Sequence, residues 1–288
     1  MKSFEVVFPE RIEQAASALK DAGEEGKAIA GGTALLVLMK NKLYSPKYLV
    51  SLRKIDELKR LAYTPGIGLT IGSGVTEHEL EAAPFVRDKF PVIAQAAHAI
   101  GNVRIRNVAT IGGNLAHADY QCDPPAALIA MGAEVKLYGP DGERTVALED
   151  FFLGPYETVL RRGEIITQIL VPDPPQGARG RYFRFTSGSA ADRPCVSVAV
   201  CLAFEQGVCS WVRVALGAVA PTPIRVREIE TLLEGKVPDR RLIDEAAQIA
   251  SASCEPLSDT RGTDWYKREM VRVLVQRSLQ SLISDAGC

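Results

Sequence analysis

Apolar residues fall at Ile12, Ala15, Ala16 and Leu19, the i, i+3, i+4, i+7 spacing of a helix over 11–20 that lays one face on a sheet. A short buried strand is predicted over 27–30, ending at Gly31-Gly32. Thr33 then opens a helix whose apolar body is Leu35, Leu36, Leu38 and Met39, and 48–52 reads as a second strand. Residues 1–53 thus predict a small β-α-β unit. Hairpin spacing takes over at 61–63 and 69–72 around Thr64-Pro65-Gly66, and Thr76-Glu77-His78-Glu79 has the form of a capping box. A helix is predicted over 91–100, with strands at 134–138, 144–148 and 164–171 completing an antiparallel sheet.

The proline-rich run 172–177 marks a boundary, giving expected units of 1–53, 54–176 and 177–288. The last unit is expected to hold strands at 181–186, 195–204 and 210–220. Helices at 228–233, 239–252 and 264–282 follow, the final one capped by Thr263. The fold class is therefore α+β, ending in a three-stranded antiparallel sheet with a helical bundle. No internal repeat is visible.

Composition narrows the function. A formal net charge of -1 gives no ground for a nucleic-acid partner, and the arginine pairs 104/106, 161/162 and 225/227 read as solvated faces. No apolar run reaches membrane-span length and no signal-peptide core follows the N-terminus, so a cytoplasmic protein is expected. Cysteines 122, 195, 201, 209, 254 and 288 lack metal-ligand spacing, and His78, His98 and His117 are dispersed without a catalytic pattern. Neither a catalytic nor a metal site is expected within the chain.

Two glycine pairs remain as candidate chemistry. Gly31-Gly32 joins a strand to a helix N-terminus, and Gly112-Gly113 follows the apolar frame Ala109-Thr110-Ile111. Either pair alone reads as a tight turn. Together they are what a chain needs to wrap a diphosphate with backbone amides, since glycine admits close approach and positive φ. Gly66, Gly68, Gly72 and Gly74 have the wrong spacing for a dinucleotide fingerprint, and no helix opens directly after them. Asp123 before Pro124 fits a helix N-cap, and a carboxylate there could equally accept ribose or flavin hydroxyls.

The sequences Ala30-Gly31-Gly32-Thr33-Ala34-Leu35 and 105–115 (IRNVATIGGNL), with Asp123 beyond them, resemble the FAD-binding medium subunits of the molybdenum hydroxylases. That family includes the carbon monoxide dehydrogenase medium subunit and the xanthine dehydrogenase flavin domain. The resemblance spans nearly the whole chain. It implies a vanillyl-alcohol-oxidase-type FAD-binding fold of two α/β subdomains, with a third unit covering the flavin end.

By the same resemblance, Ile29, Ala30, Gly31, Gly32, Thr33, Ala34 and Leu35 form the first pyrophosphate loop. Thr110, Ile111, Gly112, Gly113 and Asn114 form the second, and Asp123 holds the polyol region. Ile100, Ile166 and Arg184 fall at positions of flavin contact, although Arg184 departs from the expected lysine and the 187–193 loop lacks an aromatic residue. No histidine follows Gly31-Gly32, so FAD is expected to be non-covalent. No cysteine-bearing insertion is present.

The implied role is electron transfer. A small partner subunit with [2Fe-2S] clusters would relay electrons from a large molybdenum-cofactor subunit, and FAD here would pass them to an external acceptor, in a dimer of heterotrimers. A free-standing flavoenzyme of the same fold, or a cofactor-less scaffold, are the rivals. The glycine loops contain no lysine or arginine, so backbone amides of both are expected to neutralise the diphosphate. Replacing Gly112 with valine is expected to give folded, flavin-free protein.

Overall fold

A computed structural model of the chain describes residues 2–286; Met1, Gly287 and Cys288 lie outside the described residues. The chain begins with β1 (Glu5–Val7), α1 (Ile12–Ala22), β2 (Gly26–Ile29), α2 (Leu35–Lys40) and β3 (Tyr48–Ser51), whose strands form a parallel sheet in the order β1-β3-β2. The apolar stripe of α1 buries Ala15, Ala16 and Leu19 as its spacing requires. Strand β1 was not foreseen: three exposed residues, Glu5-Val6-Val7, carry no alternation to betray a strand.

Next come β4 (Leu61–Thr64), β5 (Gly68–Gly72) and the helices α3 (Glu77–Ala82), α4 (Pro84–Lys89), α5 (Pro91–Ala99), α6 (Val103–Arg106), α7 (Ile111–His117) and α8 (Pro124–Ala130). The predicted capping box at Thr76 and Glu79 is present with both of its hydrogen bonds. Strands β6 (Glu134–Gly139), β7 (Gly142–Ala147) and, after the short pair β8 (Phe152–Gly154) and β9 (Glu157–Thr158), β10 (Ile165–Pro172) complete an antiparallel sheet ordered β4-β5-β10-β6-β7. Buried residues of α5 and α8 pack over β5, β6 and β10 as one core.

The remainder holds β11 (Arg179–Phe185), β12 (Val196–Glu205), β13 (Val208–Gly217), β14 (Ile224–Arg225), α9 (Arg227–Leu233), α10 (Arg240–Ala252) and α11 (Asp264–Ala286). Its antiparallel sheet has four strands, not the three expected, because Leu216 and Ala215 of β13 pair with the two residues of β14. The last helix is capped as foreseen, Tyr266 N donating to Thr263 Oγ1 at 3.2 Å. Among the described residues no helix is long and apolar enough to cross a membrane.

Candidate functional site

The two glycine pairs, about eighty residues apart in sequence, adjoin in space. A Cβ built on Gly31 would lie 2.0 Å from the Val108 carbonyl oxygen and 3.0 Å from Ala109 Cα, so only glycine allows the first turn to sit against the segment entering the second. Gly32 takes a φ of 72°, turning the chain into α2. Among the described residues no acceptor receives the amides of residues 31 to 35; the first bond of the helix is Leu36 N to Gly32 O at 3.0 Å. Gly31, Gly32, Thr33, Ala34 and Leu35 thus present unspent N–H groups at a helix N-terminus, an arrangement suited to an anion.

The second pair differs from expectation. Gly112 and Gly113 lie inside the first turn of α7, and the amides here are committed: Ile111 to Val75 O (3.0 Å), Gly112 to Ser73 O (2.9 Å), Gly113 to the Thr110 hydroxyl (3.2 Å) and Asn114 to Thr110 O (2.9 Å). Gly112 is glycine for packing, since its Cβ would fall 2.4 Å from Ser73 Cβ. Backbone amides without an acceptor are therefore found at the first loop and not at the second. What the second offers is side chains: the Thr110 hydroxyl keeps its proton to donate while accepting from Gly113, and Asn114 Oδ1 is buried with no partner.

Asp123 does stand at the N-cap of α8, yet its side chain makes no cap bond. Instead it accepts from the Tyr182 hydroxyl at 2.6 Å and pairs with Arg184 Nη1 at 2.9 Å. Burial raises its pKa from 3.8 to about 6, against the opposing pull of Arg184 and Tyr182. Nearby Glu77 is fully buried with both carboxylate oxygens unpartnered; burial first, then the charges of Asp123 and Glu81, pushes its pKa well above the ordinary range.

Arg184 extends the cluster. It also donates to the carbonyls of Ala99, Ala190 (2.7 Å) and Asp192 (2.6 Å), tying the end of α5 and the 187–192 loop to Asp123. Ile100 follows Ala99, and its carbonyl accepts from Arg106 Nη1 at 3.0 Å. Arg106 is no solvated face: it is buried against Glu81, and Arg225 is half-buried against Glu230. His78 and His98, read as dispersed, both place Nδ1 2.8 Å from Glu81 as well. Burial raises the Glu81 pKa, but the bonds from His78, Arg106 and His98 outweigh it and the net shift is downward. An Arg-x-Arg-Asn run beside an acidic helix was the available signal. His117 packs on Tyr156, and burial lowers its pKa.

Ile166 stays within the core of the five-stranded sheet, beside the β10 bulge. The next residue, Thr167, accepts from Ser73 N at 3.0 Å, which links this strand to the Gly112 contact. Ile29, half-buried, ends β2, and the half-buried Ala30 leads into the first loop.

Comparison with known proteins decides the family. The family model for the FAD binding domain in molybdopterin dehydrogenase matches residues 2–174, and that for the CO dehydrogenase flavoprotein C-terminal domain matches 181–282. The chain belongs to the FAD-binding subunits of the molybdenum hydroxylases. This flavoprotein subunit is 34% identical to the carbon monoxide dehydrogenase medium chain of Afipia carboxidovorans, over 96% of each chain. It superposes on a chain of carbon monoxide dehydrogenase from Hydrogenophaga pseudoflava with a TM-score of 0.95, 35% identity and 98% of both chains covered. A chain of quinoline 2-oxidoreductase from Pseudomonas putida is similar at a TM-score of 0.92 and 29% identity, over 99% of each. The α+β flavoprotein fold expected from the sequence is thereby established.

The residues present in the flavoprotein fit the dinucleotide that the family implies. Unspent amides suit its diphosphate, while the orphaned Asn114 oxygen and the Asp123 carboxylate suit its hydroxyls.

Proposed function

We propose that this chain holds FAD non-covalently and serves as the electron-exit subunit of a molybdenum hydroxylase. On this reading residues 1–53 and 54–176 cradle the cofactor and 177–288 covers its flavin end. The adjacency of the two glycine segments carries the proposal, because it sets the loop with free amides, 31–35, against Val108 and Ala109, the residues that lead into Thr110. The first-loop amides bind the diphosphate; Thr110 and Asn114 orient it. Asp123 accepts a polyol hydroxyl once Tyr182 and Arg184 have fixed its direction, and Arg184 sets the α5 end at Ile100 against the ring. Bound FAD supplies the redox chemistry, accepting electrons and giving them up at the isoalloxazine. No general acid or base of this chain is needed for that.

Among the described residues no cluster of histidine, cysteine or carboxylate could hold a metal ion. Following the family likeness, the reading assigns [2Fe-2S] clusters to a small partner subunit and the molybdenum cofactor to a large one, in a cytoplasmic dimer of heterotrimers. Purification of the native protein tests it. A yellow heterotrimer containing iron and molybdenum is expected, whereas a yellow homo-oligomer that turns over a substrate alone would favour a free-standing oxidoreductase. A colourless protein would refute cofactor binding.

A further inference from the structure

Glu77 is a buried acid beside the proposed cradle, with no protein partner for its carboxyl. It belongs to the first turn of α3, is 0% exposed, and leaves both side-chain oxygens unpaired. Its backbone cannot swing it out to water. Glu77 N donates to Ala109 O at 2.9 Å, Thr76 bridges Thr110, and Ser73 O and Val75 O accept from Gly112 and Ile111, so residues 73–77 are laced along the second loop. The carboxyl lies within electrostatic reach of Cys122 and Asp123 at the start of α8, with Glu81 on its own helix. Among the described residues no cation pairs with Glu77. Arg184 is spent on Asp123, while Arg106, His78 and His98 gather on Glu81. Two buried carboxyls in mutual reach resist ionising together, and the charge settles on the one that has donors. Asp123 has the Tyr182 hydroxyl on Oδ1 and Arg184 Nη1 on Oδ2; Glu77 has neither. A carboxylate accepts about four hydrogen bonds, so Asp123 keeps room for further donors.

We infer that Glu77 is a positioning residue of the FAD cradle: it carries a proton and shares it with Asp123 through internal water, so that the pair's one negative charge stays on the carboxylate that takes the polyol hydroxyl. The inference rests on the proposed flavin reading and adds a residue to it. Glu77→Gln keeps the shape and an N–H donor but cannot titrate. Glu77→Leu keeps the bulk and removes the donor, which makes Asp123 easier to protonate.

The test has two arms, both on the full chain freed of FAD. Infrared spectra at about pH 8, where Asp123 is ionised, should show the C=O stretch of a protonated carboxyl that Glu77→Gln lacks. FAD titrations across about pH 5 to 9, followed by flavin fluorescence, should give wild type and Glu77→Gln the same acid limb, near the Asp123 value of about 6. Glu77→Leu should carry that limb about one to two pH units higher, binding FAD about twofold to tenfold more weakly at pH 7 and within about twofold of wild type at pH 9. A wild-type spectrum without the band, or a band that persists in Glu77→Gln, would overturn the proton assignment. A Glu77→Leu limb coincident with that of wild type, or binding weakened equally at every pH, would overturn the positioning role in favour of plain packing. Should Glu77→Leu not fold, the infrared band and the Glu77→Gln limb still decide, since a glutamine limb displaced upward also overturns the role. Wild-type protein that takes up no FAD at any pH would sink the flavin reading, a result distinct from each of these.

Discussion

Replacing Gly31 with alanine tests the junction of the two loops directly. The added Cβ would stand 2.0 Å from Val108 O and 2.8 Å from the Val108 carbonyl carbon, both backbone atoms that cannot rotate away. Carbon and oxygen meet comfortably at about 3.3 Å, so the turns must part by on the order of 1 Å. Hydrogen bonds to an anion do not survive such a displacement at full strength. If two of the first-loop amides lose their bonds, at roughly 1.5 to 3 kcal/mol each, FAD binding weakens by about 3 to 6 kcal/mol, or ~10²- to 10⁴-fold in Kd. Fold stability should fall less, by about 1 to 2 kcal/mol, because the turn is only half-buried.

Reconstitution of the apoprotein, followed by quenching of flavin fluorescence with Tm measured in parallel, separates the two effects. Gly66→Ala is the control: its φ of 80° makes alanine strained, but no atom lies within 4 Å, so it should cost about 1 kcal/mol of stability and leave FAD affinity alone. A Gly31→Ala protein that binds FAD within about threefold of wild type would refute the shared grip of the two loops.

The two central glycines should part company: Gly112→Val should lower soluble yield and Tm as well as flavin content, because its Cβ collides with Ser73, whereas Gly113→Ala meets only Thr110 Oγ1 at 2.9 Å and should fold, losing about 1 kcal/mol of helix capping along with FAD affinity. The first outcome replaces the folded, flavin-free protein expected from sequence, and thermal melts with absorbance spectra decide both. Asp123 gives a pH signature with opposite signs. Its pKa is higher folded (about 6) than unfolded (3.8), so the penalty of about 3 kcal/mol present at pH 7 is relieved as pH falls through 6 toward 4. Apoprotein stability from this group should therefore rise between pH 7 and 5 while FAD affinity drops as the acceptor protonates; urea melts and FAD titrations moving in parallel would contradict this. Glu81→Gln removes the buried charge facing Arg106, His78 and His98, and should destabilise by about 3 to 5 kcal/mol in urea melts; a change under 1 kcal/mol would mean that the cluster is dispensable.

How far the sequence disclosed all this depends on what each residue answers to. The stripe of α1, the Thr76 capping box and the alternating strands were legible because periodicity and capping are local physics. Strand β1, the two-residue β14 and the arginines drawn inward by Glu81 and Glu230 were not, since only tertiary partners define them. The glycine pairs show the limit most clearly. Both dipeptides look alike on the page, and both were read as anion-facing turns. In the fold Gly31 is small so that one turn can touch another and Gly32 so that φ can be positive, leaving amides free. Gly112 is small so that a helix can lie on Ser73, and its amide is consumed in doing so. A dipeptide signals that a Cβ is unwelcome, not what takes its place. The anion-binding capacity of each loop follows only from counting which N–H groups the fold leaves unspent, and among the described residues that count leaves them at residues 31 to 35, the loop proposed to take the diphosphate.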